Sequence, residues 1–206
     1  EIPTYFKSEF SKDINNFTQD ELKAKNEAAE KFIESEEEES AVLLKNDNNA
    51  LPLTAEEQKK VSLFGYTTVS PYYRSHSGGG GSQRTVSFLE ALESRNIKYN
   101  TTLTDLYSGL SYERNYKSVA EAPLSVYSES VKSSFASYNG AAIVTLSREA
   151  GENDDLITNY QDSDGTVHSI LALNKNEKDM LNLVKEYKEN GTFKKIIVLL
   201  NTCNTM

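Results

Sequence analysis

"AAIVTLSREAGENDD", residues 141–155, joins an almost unbroken apolar run to a dense cluster of acids. Glu149, Glu152, Asp154 and Asp155 fall within seven positions behind a single Arg148. A continuous run of β-branched and aliphatic residues, with no polar alternation, is the mark of a strand buried on both faces. Two more runs of the same kind flank it, "KKVSLFGY" at 59–66 and "KKIIVLLN" at 194–201. Between the runs lie stretches with helical spacing, "SFLEALESRN" at 87–96 and "NEKDMLNLVKEYKENG" at 176–191, the latter stopped by Gly191. Strand, loop, helix, strand is the rhythm of an α/β fold with a mostly parallel sheet sandwiched between helices. In such sheets chemistry gathers in the loops beyond the strands' C-terminal ends. The acidic cluster is one of those loops; the loops after Phe64 and after Leu200 are the others.

The remaining elements are read less directly. Residues 21 to about 40, "ELKAKNEAAEKFIESEEEES", space their apolar positions by threes and fours and predict a helix with Asp20 as its cap. Its end, Glu36–Glu39, reads as a solvated acidic stretch. "AVLLKNDNNALPL" breaks at Asn/Asp turn residues and Pro52. "IKYNTTL" at 97–103 reads as a short strand.

Composition narrows the function classes. The net charge of −9 and the lack of Lys/Arg clusters argue against a nucleic-acid partner. No run approaches the length of a membrane span and no signal segment is seen. The compartment is left open, cytoplasm and secretion alike. One cysteine, Cys203, forms no intrachain disulfide and supports no thiolate zinc site. The chain starts at Glu1 and stops at Met206, just past an apolar strand, which reads as a piece of a larger polypeptide. A sheet cut there exposes apolar surface, so self-association of the isolated chain is expected.

Two loops carry candidate chemistry. "SHSGGGGS", 75–82, has the backbone freedom to approach a ligand, and Tyr72, Tyr73, Arg74 and His76 stand beside it. It matches neither phosphate-loop pattern, and a mobile surface loop or a flexible linker has the same composition. The acids at 149–155, with Asp162 and Asp164 beyond, suit an oxygen-ligand calcium site, a solvated loop or a catalytic carboxyl. Calcium-loop spacing is absent. His168 has no ligand spacing to His76, and no metal or other cofactor is read from the sequence.

The order of these motifs resembles glycoside hydrolase family 3, the β-glucosidase-like group, over about residues 39–206. "ESAVLLKNDNNALPL" resembles the opening of that family's α/β sandwich domain. "KKVSLFG", the Gly/Ser-rich loop and "SFLEAL" follow in order. "YNTTLTDLY" resembles N-x-x-L-x-x-x-Y, and "SREAGENDD" resembles [SR]-R-x-x-GE-G-x-D. The resemblance implies a partial (α/β)₆ sandwich at 39–206, incomplete at its C-terminus, behind an N-terminal extension and helix at 1–38. It implies a retaining exo-β-glycosidase in which a separate (β/α)₈-type barrel of the same polypeptide carries the aspartate nucleophile. The lead-in is similar to that of family members whose sandwich precedes the barrel.

By the same resemblance Glu152 is the catalytic acid/base toward a β-linked glucoside or oligosaccharide, and the isolated chain is inactive. Arg74, His76, Ser77, Gly78, Arg148 and Asp155 belong to the site loops, with Arg148 expected to hold Asp155 or its loop. Asn153 replaces the family's Gly and Leu156 an Arg that often follows, which bears on how the loop is anchored. Two other function classes stay open: a non-catalytic carbohydrate-binding or structural module, and a free-standing nucleotide-binding α/β protein.

Overall fold

The computed structural model of the chain describes residues 17–70, 86–112, 121–148, 157–161 and 164–202. Its main sheet has four parallel strands in the order β2-β1-β3-β6. These are β1 (Lys60–Phe64), β2 (Lys98–Tyr99), β3 (Ala141–Arg148) and β6 (Ile196–Thr202). Central β3 is buried along its whole length and pairs with β1 from Val61↔Ala141 and with β6 from Ala142↔Ile196 to Arg148↔Thr202. A small antiparallel hairpin, β4 (Asn159–Gln161) and β5 (Val167–Ser169), lies in the return from β3.

Alternation of side chains along each strand divides the core into two layers. Phe64, Ala142, Val144 and Leu146 face one layer, with Leu103, Tyr107, Phe135, Met180, Val184 and Phe193. Its helices are α4 (Thr101–Ser108), α5 (Glu129–Ser134) and α6 (Lys175–Glu189). Val61, Leu63, Ala141 and Ile143 face the other layer, closed by Leu92 of α3 (Phe88–Ser94). The continuous apolar runs are therefore runs because both sides of β1 and β3 are covered.

Several local expectations change. "IKYNTTL" is a strand only at Lys98–Tyr99. Asn100 then caps α4, its Oδ1 accepting the Leu103 N–H, so the chain turns helical and places Leu103 and Tyr107 on one buried face. The N-terminal helix, α1 (Gln19–Ser40), is capped by Thr18 rather than Asp20, and a one-turn helix, α2 (Ala55–Gln58), leads into β1. Thr18 and Glu21 satisfy each other's backbone N–H groups, a reciprocity that needs the acid three residues after the cap. No residue of α1 is buried, although its apolar spacing is helical. Residues 1–47 and 48–206 form two compact units. The third apolar strand, β6, is an edge: its outer side has no partner strand among the described residues, and Val198, Leu199 and Leu200 are 37–47% exposed. Among the described residues no helix is long and apolar enough to cross a membrane.

β1 ends on Gly65, whose φ of +102° is closed to ordinary side chains. A Cβ there would stand 2.4 Å from the Thr145 carbonyl oxygen of β3. Gly65→Ala combines that overlap with a strained backbone and is expected to cost roughly 2–4 kcal/mol. Denaturant unfolding should show a lower midpoint at unchanged slope; a midpoint equal to the parent protein's would refute the account.

Candidate functional site

Because β1, β3 and β6 run parallel, their C-terminal ends lie along one rim of the sheet. Side chains stitch that rim together. The Ser147 hydroxyl donates to Asn201 Oδ1 at 3.1 Å and pairs with the Thr67 hydroxyl at 2.9 Å, so one residue of β3 joins the exits of all three strands. Thr68 donates back to the Phe64 carbonyl at 2.9 Å and meets the Thr145 hydroxyl at 3.4 Å. These hydroxyls are buried and mutually satisfied, as interior polar groups must be.

Arg148 closes β3 and is 2% exposed. Its NH1 and NH2 nitrogens reach Glu177 Oε1 and Oε2 at 2.7 and 3.0 Å, a bidentate pair. Nε donates to the Ile170 carbonyl at 2.6 Å, NH1 also to that of Ser147 at 2.7 Å, and NH2 also to that of Ala172 at 2.9 Å. A guanidinium has five N–H donors, and all five are used. Glu177 is also N3 of α6: its Oε2 accepts the N–H of Asn174, whose Oδ1 accepts the Glu177 N–H. One buried charge pair thus ties the end of β3 to the start of α6 and to the chain returning at 170–172. Glu177 takes both forks of Arg148 and backbone carbonyls take the rest; Asp155, the partner expected for Arg148, lies outside the described residues.

The other predicted site residues fall in segments outside the described residues. Arg74, His76, Ser77 and Gly78 lie in 71–85, and Glu149, Glu152, Asp154 and Asp155 in 149–156. What the structure describes is their roots: Tyr66–Ser70 after β1, and Arg148 at the head of the acidic stretch, with 170–172 bound to it. Of the acids weighed for calcium, Asp164 is described, and it accepts the Thr166 N–H at 2.9 Å as a turn aspartate does. Among the described residues no group of three metal-ligating side chains is found. His168 stacks on Tyr160 in the β4–β5 hairpin, with ring centres 5.5 Å apart.

Two residues of the rim were not singled out by sequence. Glu177 had a readable signal, since "NKNE" at 174–177 is a capping pattern, but its Arg148 contact spans 29 residues. Glu121 had none. It is 6% exposed, its carboxyl accepts the N–H groups of Tyr66 and Ala122, and burial pushes it up to about 7 against the pull of those two bonds.

A family model described as "Glycosyl hydrolase family 3 C-terminal domain" matches residues 41–206. Among solved structures, beta-glucosidase 3B from Thermotoga neapolitana in complex with alpha-D-glucose is similar at 27% identity and a TM-score of 0.56, over 78% of this chain and 22% of that one. The same enzyme in complex with glucose gives 27% and 0.53, with the same coverage. The chain therefore spans about a fifth of the length of these structures. No curated protein sequence matches it.

Removing the Arg148 charge strands Glu177 in the interior. Arg148→Met is expected to lose about 3–5 kcal/mol of stability. Arg148→Met with Glu177→Gln should lose clearly less than the two single changes added together, since the second change removes the stranded charge. Additive losses in a double-mutant cycle would show that the pair does not couple.

Proposed function

The chain belongs to glycoside hydrolase family 3, and from that membership we propose that it is the part of a retaining exo-β-glycosidase that brings the acid/base to the sugar. In this reading residues 39–206 are the sandwich domain and 1–38 a separate extension. The nucleophilic carboxylate lies on a barrel domain of the same polypeptide. Glu152 protonates the oxygen of the departing aglycone, then takes a proton from the water that releases the glycosyl-enzyme. Arg74, His76, Ser77 and Gly78 offer donors and close backbone approach to sugar hydroxyls, and Asp155 flanks the acid/base. Arg148 is a positioning residue at the root of the loop.

The observation that carries the reading is the place of "SREAGENDD". Its first residues, Ser147 and Arg148, close the central strand beside the exits of β1 and β6, and all five donors of Arg148 are engaged. A retaining site needs its two carboxyl groups held about 5–5.5 Å apart. A short acidic segment on a fixed root suits a group that must meet its partner across a domain boundary at that spacing. Neighbouring carboxylates at 149, 154 and 155 favour the protonated form of a general acid.

Glu152→Gln in the full-length protein tests the role. General acid/base help is worth about 10²–10⁴-fold, so turnover of a glucoside with a poor leaving group should fall by roughly that factor. An activated phenolate needs no proton, so its glycosylation step should be nearly spared. Azide should then restore turnover and yield a glycosyl azide of retained configuration, while Glu149→Gln does far less. Equal losses on good and poor leaving groups without azide rescue would place the donor elsewhere. No hydrolysis by the parent full-length protein would favour the non-catalytic module.

The isolated 206-residue chain should not cleave aryl β-glucosides, because one carboxyl alone cannot run a double displacement. Product release above a buffer control would end the two-domain account.

A further inference from the structure

Glu121 meets three segments at the rim. Its Oε2 accepts the Tyr66 N–H at 3.1 Å, at the exit of β1. Its Oε1 accepts the N–H of Ala122 at 2.8 Å, within its own stretch ahead of α5. Its backbone carbonyl accepts from Asn176 Nδ2 at 2.9 Å, on the first turn of α6 and next to Glu177. The exit of β1 is further held by aromatic residues. The Gly65 N–H donates to the Tyr107 hydroxyl at 2.9 Å, and the Tyr66 hydroxyl accepts the Tyr112 N–H at 3.4 Å.

A carboxyl group is a costly choice for this place. Two amides need only acceptors, which an uncharged amide or hydroxyl side chain also supplies, and burying a charge without a cation opposes folding. Among the described residues its carboxyl partners are those two N–H groups and no cation. The folded protein holds the Glu121 proton more tightly than the unfolded chain does, since the ordinary value is 4.5 and the buried one about 7. Stability is therefore lost as pH rises through that interval, and above it the carboxylate weakens the fold as a whole while strengthening its bond to Tyr66. Such a group fits a task other than stability.

We propose that Glu121 is a positioning residue: its carboxylate fixes the Tyr66 amide, and with it the Tyr66–Ser70 stem of the loop after β1, and it lets go when it takes up a proton. The hold stands on the geometry alone. Its effect on catalysis rests on the proposed glycosidase reading, in which that stem leads to Arg74 and His76. When a proton binds, one oxygen becomes a hydroxyl and the two amides compete for the other. The Tyr66 bond, the longer of the two, is the one released.

Among the described residues, the groups facing Glu121 are Tyr107 of α4, Tyr112 after it, Tyr127 ahead of α5, Tyr66 itself and Glu177 of α6, which carries Arg148. Burial keeps the Tyr107, Tyr112 and Tyr127 phenols above their usual range, so they stay neutral near pH 7. The Glu177 charge adds to burial in raising Glu121.

Amide hydrogen exchange on the full-length protein tests the hold without any substrate. After correction for intrinsic exchange, protection of the Tyr66 amide should fall about tenfold between about pH 8 and about pH 5.5, the scale of one charge-assisted bond. In Glu121→Gln it should not vary with pH. Constant protection in the parent protein overturns the proposal, whether or not the variant folds. On an activated aryl glucoside, the parent's KM should change through this pH interval with kcat nearly level, and that ionisation should vanish in Glu121→Gln. Matching pH profiles in the two proteins, alongside pH-dependent exchange, would make Glu121 a titrating structural group and overturn its positioning role. A full-length protein without glycosidase activity would sink the enzyme reading and leave the exchange result to decide the hold.

Discussion

A guanidinium can enter a protein interior only if its charge and all its donors are met there. Arg148 satisfies that condition with one carboxylate and three backbone carbonyls, and the rim of the sheet is organised around the result. The carboxylate belongs to Glu177, so the N-terminus of α6 must lie at the end of β3. The carbonyls of Ile170 and Ala172 bring the returning chain to the same point. Glu177 is also committed to Asn174, so α6 begins where it does for two reasons that share one side chain. Few alternative arrangements satisfy all of these bonds at once, which gives the site a rigid root.

The parallel sheet does the rest of the positioning. Covering β1 and β3 on both faces fixes their register, and a common direction sends every exit to one side. Ser147 then couples the three exits through Thr67 and Asn201. Gly65 permits the turn at the first exit, and Tyr107 and Glu121 receive the amides that the turn presents inward. In the proposed enzyme the two loops that face the sugar are thus rooted in one hydrogen-bonded rim, so a shift in one root is felt by the other.

The buried strands were legible because their chemistry is one-dimensional. A run such as Val61–Phe64 or Ala141–Leu146 has no solvent side to alternate with, and this shows in the sequence itself. Capping pairs act at equally short range, Asn100, Ser87 and Asn174 each accepting an amide three residues ahead, yet the sequence reading singled out none of them and took Asp20 for the cap that Thr18 provides. "IKYNTTL" misled because β-branched threonines favour strands while Asn100, acting as a cap, and the Leu103/Tyr107 spacing favour a helix, and packing against the core decided between them. β6 is the edge at which exposed apolar surface was expected, and it has that surface. Its composition is that of a covered strand, and composition does not say on which side a strand has neighbours.

By itself, then, the sequence determined the α/β class, the parallel strands and the order of motifs that marks the family, because those depend on periodicity and on contacts a few residues apart. It also placed an acidic segment at the end of the central strand. Which partner Arg148 takes was decided only by the tertiary structure. Glu177 is twenty-nine residues away, and sequence distance does not measure which carboxylate packing brings to a buried cation. Glu121 belongs to the same class. A lone glutamate between Ala120 and Ala122 shows nothing in sequence, and its charge acquires meaning only when the fold buries it against an amide fifty-five residues distant.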